Sequence, residues 1–251
     1  FLLIILLLSL VAAVMFGTTP LPVGQVYAVL YHELAHLLTG VPFPEGWGPG
    51  NAVHDVVWLI RLPRLVLAVT VGACLSLSGV AMQAIVQNPL ADPYVLGISS
   101  GASFGATLAV LLGVGAAWGG NFVGVMAFLG ALGTSFAVVF LANLGGRANA
   151  VKLLLAGSAL SAVCGAFSNF LIYRADADRA VSQVARWTMG SLAAASWPVN
   201  AVLALVALAG TAFFLTQCRA LDLMLLGNDT ALTLGVDLHR RRTACLAVAA
   251  L

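Results

Sequence analysis

Residues 61–105 read RLPRLVLAVTVGACLSLSGVAMQAIVQNPLADPYVLGISSGASFG, and the order of what they contain decides the fold. From Leu65 to Val86 there is no charged side chain, and Ser76, Ser78 and Gln83 sit scattered among apolar residues. A helix crosses the hydrocarbon core of a bilayer with about 20 mostly apolar residues, so this run spans. The next residues, Gln87 to Pro93, cannot extend it. Pro89 and Pro93 lack an N–H and disfavour helical geometry at Asn88 and Asp92 before them. From Tyr94 the apolar run resumes, but with Gly97, Ser99, Ser100, Gly101, Ala102, Ser103 and Gly105 where a lipid-facing helix carries large side chains. Small residues let helix backbones approach closely in a membrane, so this second helix is expected to be buried among others.

Composition extends that reading to the whole chain. Hydrophobic residues make up 61% and charged residues 8%, with a mean hydropathy of +1.05, far from the near-quarter charged fraction of soluble domains. The net charge of +2 is small and the basic residues are scattered, which excludes a nucleic-acid partner. The cysteines, Cys74, Cys164, Cys218 and Cys245, contain no CxxC, so neither a disulfide frame nor a thiolate metal site is indicated.

The expected fold is all-α, a polytopic transmembrane bundle with six spans and the start of a seventh. The first span is Phe1–Phe16, the second Leu65–Val86 and the third begins at Tyr94. The fourth is Asn121–Leu141, the fifth Val151–Tyr173, the sixth Pro198–Thr216, and Thr243–Leu251 opens the seventh. Between the first two, Val26, Val29, Leu30, Leu34, Leu37 and Leu38 recur at helical spacing, predicting an amphipathic interfacial helix over Val23–Leu38. The stretch Arg174 to Trp197 predicts a short outer helix, with Trp187 and Trp197 suited to an aromatic belt.

Within Val23–Leu38, His32-Glu33-Leu34-Ala35-His36 matches the HExxH pattern of zinc peptidases, in which two His one turn apart hold the metal and Glu activates water. Glu45, His54 or Asp55 supply candidates for a third ligand. The plainer reading, which the short pattern favours, is a solvated helix face. Arg61 and Arg64 share a face of the second span. Two readings stand for them: snorkelling of long basic side chains to the interface, or a docking point for an acidic partner. No span holds an acidic residue near its middle, where ion-driven carriers keep an ionisable group. The only lysine, Lys152, follows Val151 and so forms no P-loop. Any ATP-derived energy must come from another subunit.

RLPR, the span, then LSG, MQ, NPLADP and LGISSGA in fixed order resemble the FecCD-type permease subunits of ATP-driven importers for iron–siderophores, haem and cobalamin. The likeness continues to the end of the chain. It implies about ten spanning helices in an intact member, so this chain is expected to be a single permease domain, 1–251, truncated at both ends. It implies a periplasmic segment at 17–57, an inner-membrane location and a homodimer with two ATP-binding subunits. A periplasmic or surface-anchored binding protein delivers the metal chelate. No catalytic residue, metal or cofactor is expected in this chain, ATP and Mg belonging to the partner ATPase. By the same resemblance Arg61 and Arg64 dock the binding protein, and Asn88, Pro89 and Leu90 form a cytoplasmic gate.

Residues 217–242 are likened to the cytoplasmic coupling segment that seats in the ATPase, the match resting on Leu225, Leu226, Gly227, Asp229, Ala231, Leu234 and Gly235. From spacing, Leu221–Leu226 reads as one short helix ended by Gly227, and Asn228 or Asp229 caps a second. Charge gives orientation little independent support. Arg147, Lys152, Arg219, Arg240, Arg241 and Arg242 make six basic residues on the inner side, against five outside. The rival classes are an ion-coupled secondary carrier and a membrane zinc peptidase built on His32, Glu33 and His36.

Overall fold

The structure, a computed structural model, describes residues 1–17, 20–119, 121–144, 146, 148–175, 178–226 and 238–250, excepting the side chains of 95, 118, 178–180, 238 and 239. Among the described residues the regular structure is helical throughout, without a strand. The helices are α1 Leu2–Met15, α2 Val23–Thr39, α3 Ala52–Asp55, α4 Leu62–Val86, α5 Ile98–Leu112, α6 Phe122–Asn143, α7 Ala150–Arg174, α8 Asp178–Met189, α9 Trp197–Leu225 and α10 Leu238–Ala249. They form two compact units, residues 1–72 with 192–205 and residues 73–191 with 206–251.

Among the described residues four helical runs are long and apolar enough to cross a membrane: Ala52–Val86, Phe122–Asn143, Ala150–Arg174 and Trp197–Leu225. The expected first and third spans are shorter apolar helices, Leu2–Met15 and Ile98–Leu112. Helix α5 is short because left-handed glycines bound it, Gly97 at φ 74° and Gly113 at φ 66°. Helix α9 is longer than expected. The predicted separate helix over Leu221–Leu226 is instead the end of α9, because neither Pro nor Gly interrupts Thr216 to Leu225.

In the first unit, α3 runs without a break into α4 through a π turn, Val56–Arg61. Pro63 accounts for an irregularity there. The N–H of Leu62 bonds to Val57 O, one residue beyond the α-helical partner. Trp58 O then has neither Leu62 nor the N–H that Pro63 lacks. The indole of Trp197 supplies the donor instead, Nε1 to Trp58 O at 3.0 Å. One turn further along α9, Asn200 Nδ2 donates to Pro63 O at 2.8 Å. A small core of Val14, Val26, Val29 and Val57 closes this unit.

The expected apolar stripe of α2 divides. Val26 and Val29 are buried, whereas Leu34, Leu37 and Leu38 are exposed. The inward row ends on Glu33, which is buried, so the expectation of a solvated face at the HExxH pattern is corrected at that residue.

In the second unit, Gly101 and Gly105 of α5 meet Gly130 and Met126 of α6. A Cβ at Gly101 would strike Gly130 O, one at Gly105 would strike Met126 O, and one at Gly130 would strike Gly101 O. This close approach is what the cluster of small residues is for. Met82, Ile85, Leu96, Leu153, Met224 and Leu246 fill the core and are fully enclosed.

Candidate functional site

The chemistry-bearing residues of the first unit gather around the π turn. Arg61 is buried, and its Nη1 donates to Val14 O and Met15 O, both at 2.9 Å. These carbonyls belong to the last turn of α1, where backbone acceptors lack helical donors and the helix dipole favours a cation. A Cβ at Gly17 would come within 2.8 Å of the guanidinium, so the chain leaves α1 through a residue without one. Arg64, three residues on, is exposed. Two arginines that helical spacing places on one face thus differ in burial, Arg61 enclosed against the end of α1 and Arg64 exposed.

The HExxH residues do not converge. Glu33 Oε1 lies 2.6 Å from His54 Nε2, and Asp55 Oδ1 lies 3.0 Å from His54 Nδ1. With a carboxylate beside each ring nitrogen, a protonated His54 has an acceptor for each of its N–H groups. His36 Nδ1 faces Val41 O at 3.0 Å, and His32 meets Tyr31 edge-on and Trp47 at a tilt. Among the described residues no group of three His, Cys, Asp or Glu is placed to hold a metal ion. His54, a candidate third ligand by sequence, pairs with the very glutamate that would serve as the base.

In the second unit, the turn after α4 is held by its own side chains. Asn88 Oδ1 accepts from Leu90 N at 2.9 Å and Asp92 Oδ1 accepts from Tyr94 N at 2.8 Å. These Asx turns present Leu90 to the outside, 88% exposed. Just before them, Gln87 Nε2 donates to Met224 O at 2.7 Å in the last turn of α9. Beyond it, Leu225 and Leu226 are exposed. Of the other residues likened to a coupling segment, Gly227, Asp229, Ala231, Leu234 and Gly235 lie outside the described residues.

A cavity of about 410 Å³ between α5, α7 and α8 is lined by Ser99, Ser100, Ser103, Ser168, Asn169 and Thr188 among others. It carries hydroxyl and amide groups without a charge. The buried Ser168 Oγ at its wall has no hydrogen-bond partner among the described residues.

Sequence reasoning missed the pairings made by Gln87, His54, Trp197 and Asn200. Their partners lie between 21 and 139 residues away in the chain, and no local period reports such pairings.

The profile of the FecCD transport family matches residues 3–251, and the chain belongs to that family. It is 36% identical over 238 residues to the cobalamin import system permease protein BtuC of Halobacterium salinarum, covering 91% of this chain and 63% of that protein. It is 40% identical over 200 residues to the hemin transport system permease protein HmuU of Yersinia pestis, covering 78% of this chain and 59% of that protein. The chain thus spans about three fifths of the length of these curated relatives. A solved structure of a transporter assigned to the metal-chelate ABC type, in an inward-facing conformation, superposes with a TM-score of 0.76 at 25% identity, covering 99% of this chain and 70% of that one.

Proposed function

We propose that the chain is the core of a permease subunit in an ATP-driven importer that carries a ferric siderophore, haem or cobalamin across a bacterial inner membrane by alternating access. The observation that carries this reading is the family match over residues 3–251. Two copies would form the pathway, two ATP-binding subunits would hydrolyse ATP with Mg, and a periplasmic or surface-anchored binding protein would deliver the chelate. Residues 17–57 would lie on the periplasmic side and 217–242 on the cytoplasmic side.

Geometry divides the proposed docking pair. Arg64 is free to meet an acidic partner, while Arg61, tied to the end of α1, sets the pose of the helix that carries it. Asn88, Pro89 and Leu90 serve as the cytoplasmic gate, a turn stiffened by the Asn88 side chain with Leu90 as its exposed apolar tip. Leu225, Leu226, Gly227, Asp229, Ala231, Leu234 and Gly235 are assigned to ATPase coupling.

The test is uptake of haem, ferric siderophore and cobalamin into proteoliposomes holding the full-length permease with its companion ATPase. Uptake that vanishes when the companion's P-loop lysine is replaced supports the reading. Uptake that persists on an ion gradient without the ATPase overturns it in favour of a secondary carrier.

A further inference from the structure

Gln87 is the one residue other than glycine with a positive φ among the described residues, at 58°. Side chains of L residues rarely accept that conformation, and here it aims an amide at another helix. The Gln87 Nε2 hydrogen bond of 2.7 Å ends on Met224 O, one of the last carbonyls of α9. Carbonyls in a final helical turn have no donor within their own helix, so Gln87 caps α9 from outside. Met224 itself is fully buried, which fixes the acceptor in place.

A second tie stands on the other flank of residues 226–237. Arg242 of α10 is buried, and its Nη1 donates to Ala148 O at 2.9 Å, in the connection from α6 to α7. Beside it, Arg241 Nη1 donates to Gln217 Oε1 of α9 at 3.1 Å. The chain entering the proposed coupling segment is therefore tied to the α4–α5 turn, and the chain leaving it to the α6–α7 turn. Gln87 is also covalently next to Asn88, so a displacement of Met224 reaches the gate within one residue.

We propose that Gln87 and Arg242 are positioning residues that transmit movement of the coupling segment to the two helix connections, Gln87 acting directly on the Asn88–Leu90 turn. The proposal rests on the importer reading above. Energy delivered through such a contact is a coupling free energy between two sites, so cutting the contact should change transmission rather than binding or hydrolysis. Glutamate at position 87 keeps the shape of the side chain but, ionised, cannot donate to a carbonyl. Glycine removes the side chain and suits the left-handed backbone.

Gln87→Glu and Gln87→Gly in the full-length permease, assembled with its ATPase and binding protein in liposomes, are read as chelate taken up per ATP hydrolysed. Both variants are expected to lower that ratio about fivefold or more while ATP hydrolysis stays near the parent's. Arg242→Gln should lower it in the same direction. A merely structural role would lower assembly, hydrolysis and uptake together, and that result overturns the proposal. So does an unchanged ratio in Gln87→Gly, the variant the local backbone tolerates. If the parent assembly shows no ATP-dependent uptake, the importer reading fails first and the transmission role falls with it.

Discussion

Arg61 and Arg64 are three residues apart and equal in charge, yet they do different work. Arg61 makes two charge-assisted bonds to the end of α1, each worth about 1.5–3 kcal/mol when the donor is charged and the site buried. Arg61→Met should therefore lower the thermal midpoint of the permease in detergent, whereas Arg64→Met should leave it unchanged. The binding-protein affinity should respond the other way, falling for Arg64→Met and more steeply at low salt, where exposed charges are least screened. Equal thermal losses for both variants would contradict the division. Spacing made the pair legible in the sequence; the burial of Arg61 was not, because its acceptors, the Val14 and Met15 carbonyls, lie 47 and 46 residues away.

His54 gives a pH dependence at the same scale. The run Ala52–Val86 has 35 residues, about 52 Å of helix, and the charge-free Leu65–Val86 fills the slab of about 30 Å, leaving His54 outside it. Burial works against its charge, but the Asp55 and Glu33 carboxylates outweigh that and hold its pKa above the ordinary 6.5. A raised pKa means the fold is stabilised fully below 6.5 and loses that support as pH rises through the folded-state value. Asp55 works in the opposite direction, its pKa lowered by the His54 and Gly50 hydrogen bonds, so its support is lost only as pH falls through the folded-state value, below 3.8. The thermal midpoint should therefore decline as pH rises from 6.5 through the folded-state value, and His54→Gln should flatten that decline. An identical profile in the variant would remove His54 from the account.

At the scale of elements, apolar runs placed most helices, and the differences lie at their ends. Hydropathy measures what lipid will accept, whereas a helix continues wherever no proline or glycine stops it. Hence α9 continues to Leu225, while α4 is joined back to Ala52 in spite of Pro63, through the π turn and the donors that α9 supplies to it. The glycine cluster of α5 was readable as a close-packing face, and its partner on α6 was not. Gly105→Leu places a side chain against the Met126 carbonyl and should destabilise by at least about 1–3 kcal/mol, read as a fall in the detergent melting temperature. Gly113→Ala, with open space around it, serves as the backbone-only comparison. The hydroxyl-lined cavity beneath α8 calls for water, since polar groups in hydrocarbon without a partner cost several kcal/mol. A cysteine at Ser100 or Ser103 should react with a membrane-impermeant thiol reagent; protection of both, with labelling only by a lipid-soluble reagent, would show the cavity to be dry.

For the whole molecule, the sequence carries a family signature that its local chemistry does not. Among the described residues four apolar helical runs without a buried acidic residue describe a membrane bundle, and the ordered set from RLPR to NPLADP is what likens it to permeases. What local reading left open is which helix connections are tied to one another, because the bonds from Gln87 to Met224 and from Arg242 to Ala148 join residues 137 and 94 apart. The most direct measurement is ATP hydrolysis by the full-length permease with its companion ATPase in liposomes, with and without a binding protein loaded with haem, ferric siderophore or cobalamin. Stimulation by one loaded binding protein, and not by its empty form, is the predicted result. If no ATPase assembles with the permease, or hydrolysis ignores every loaded partner, the importer account is contradicted.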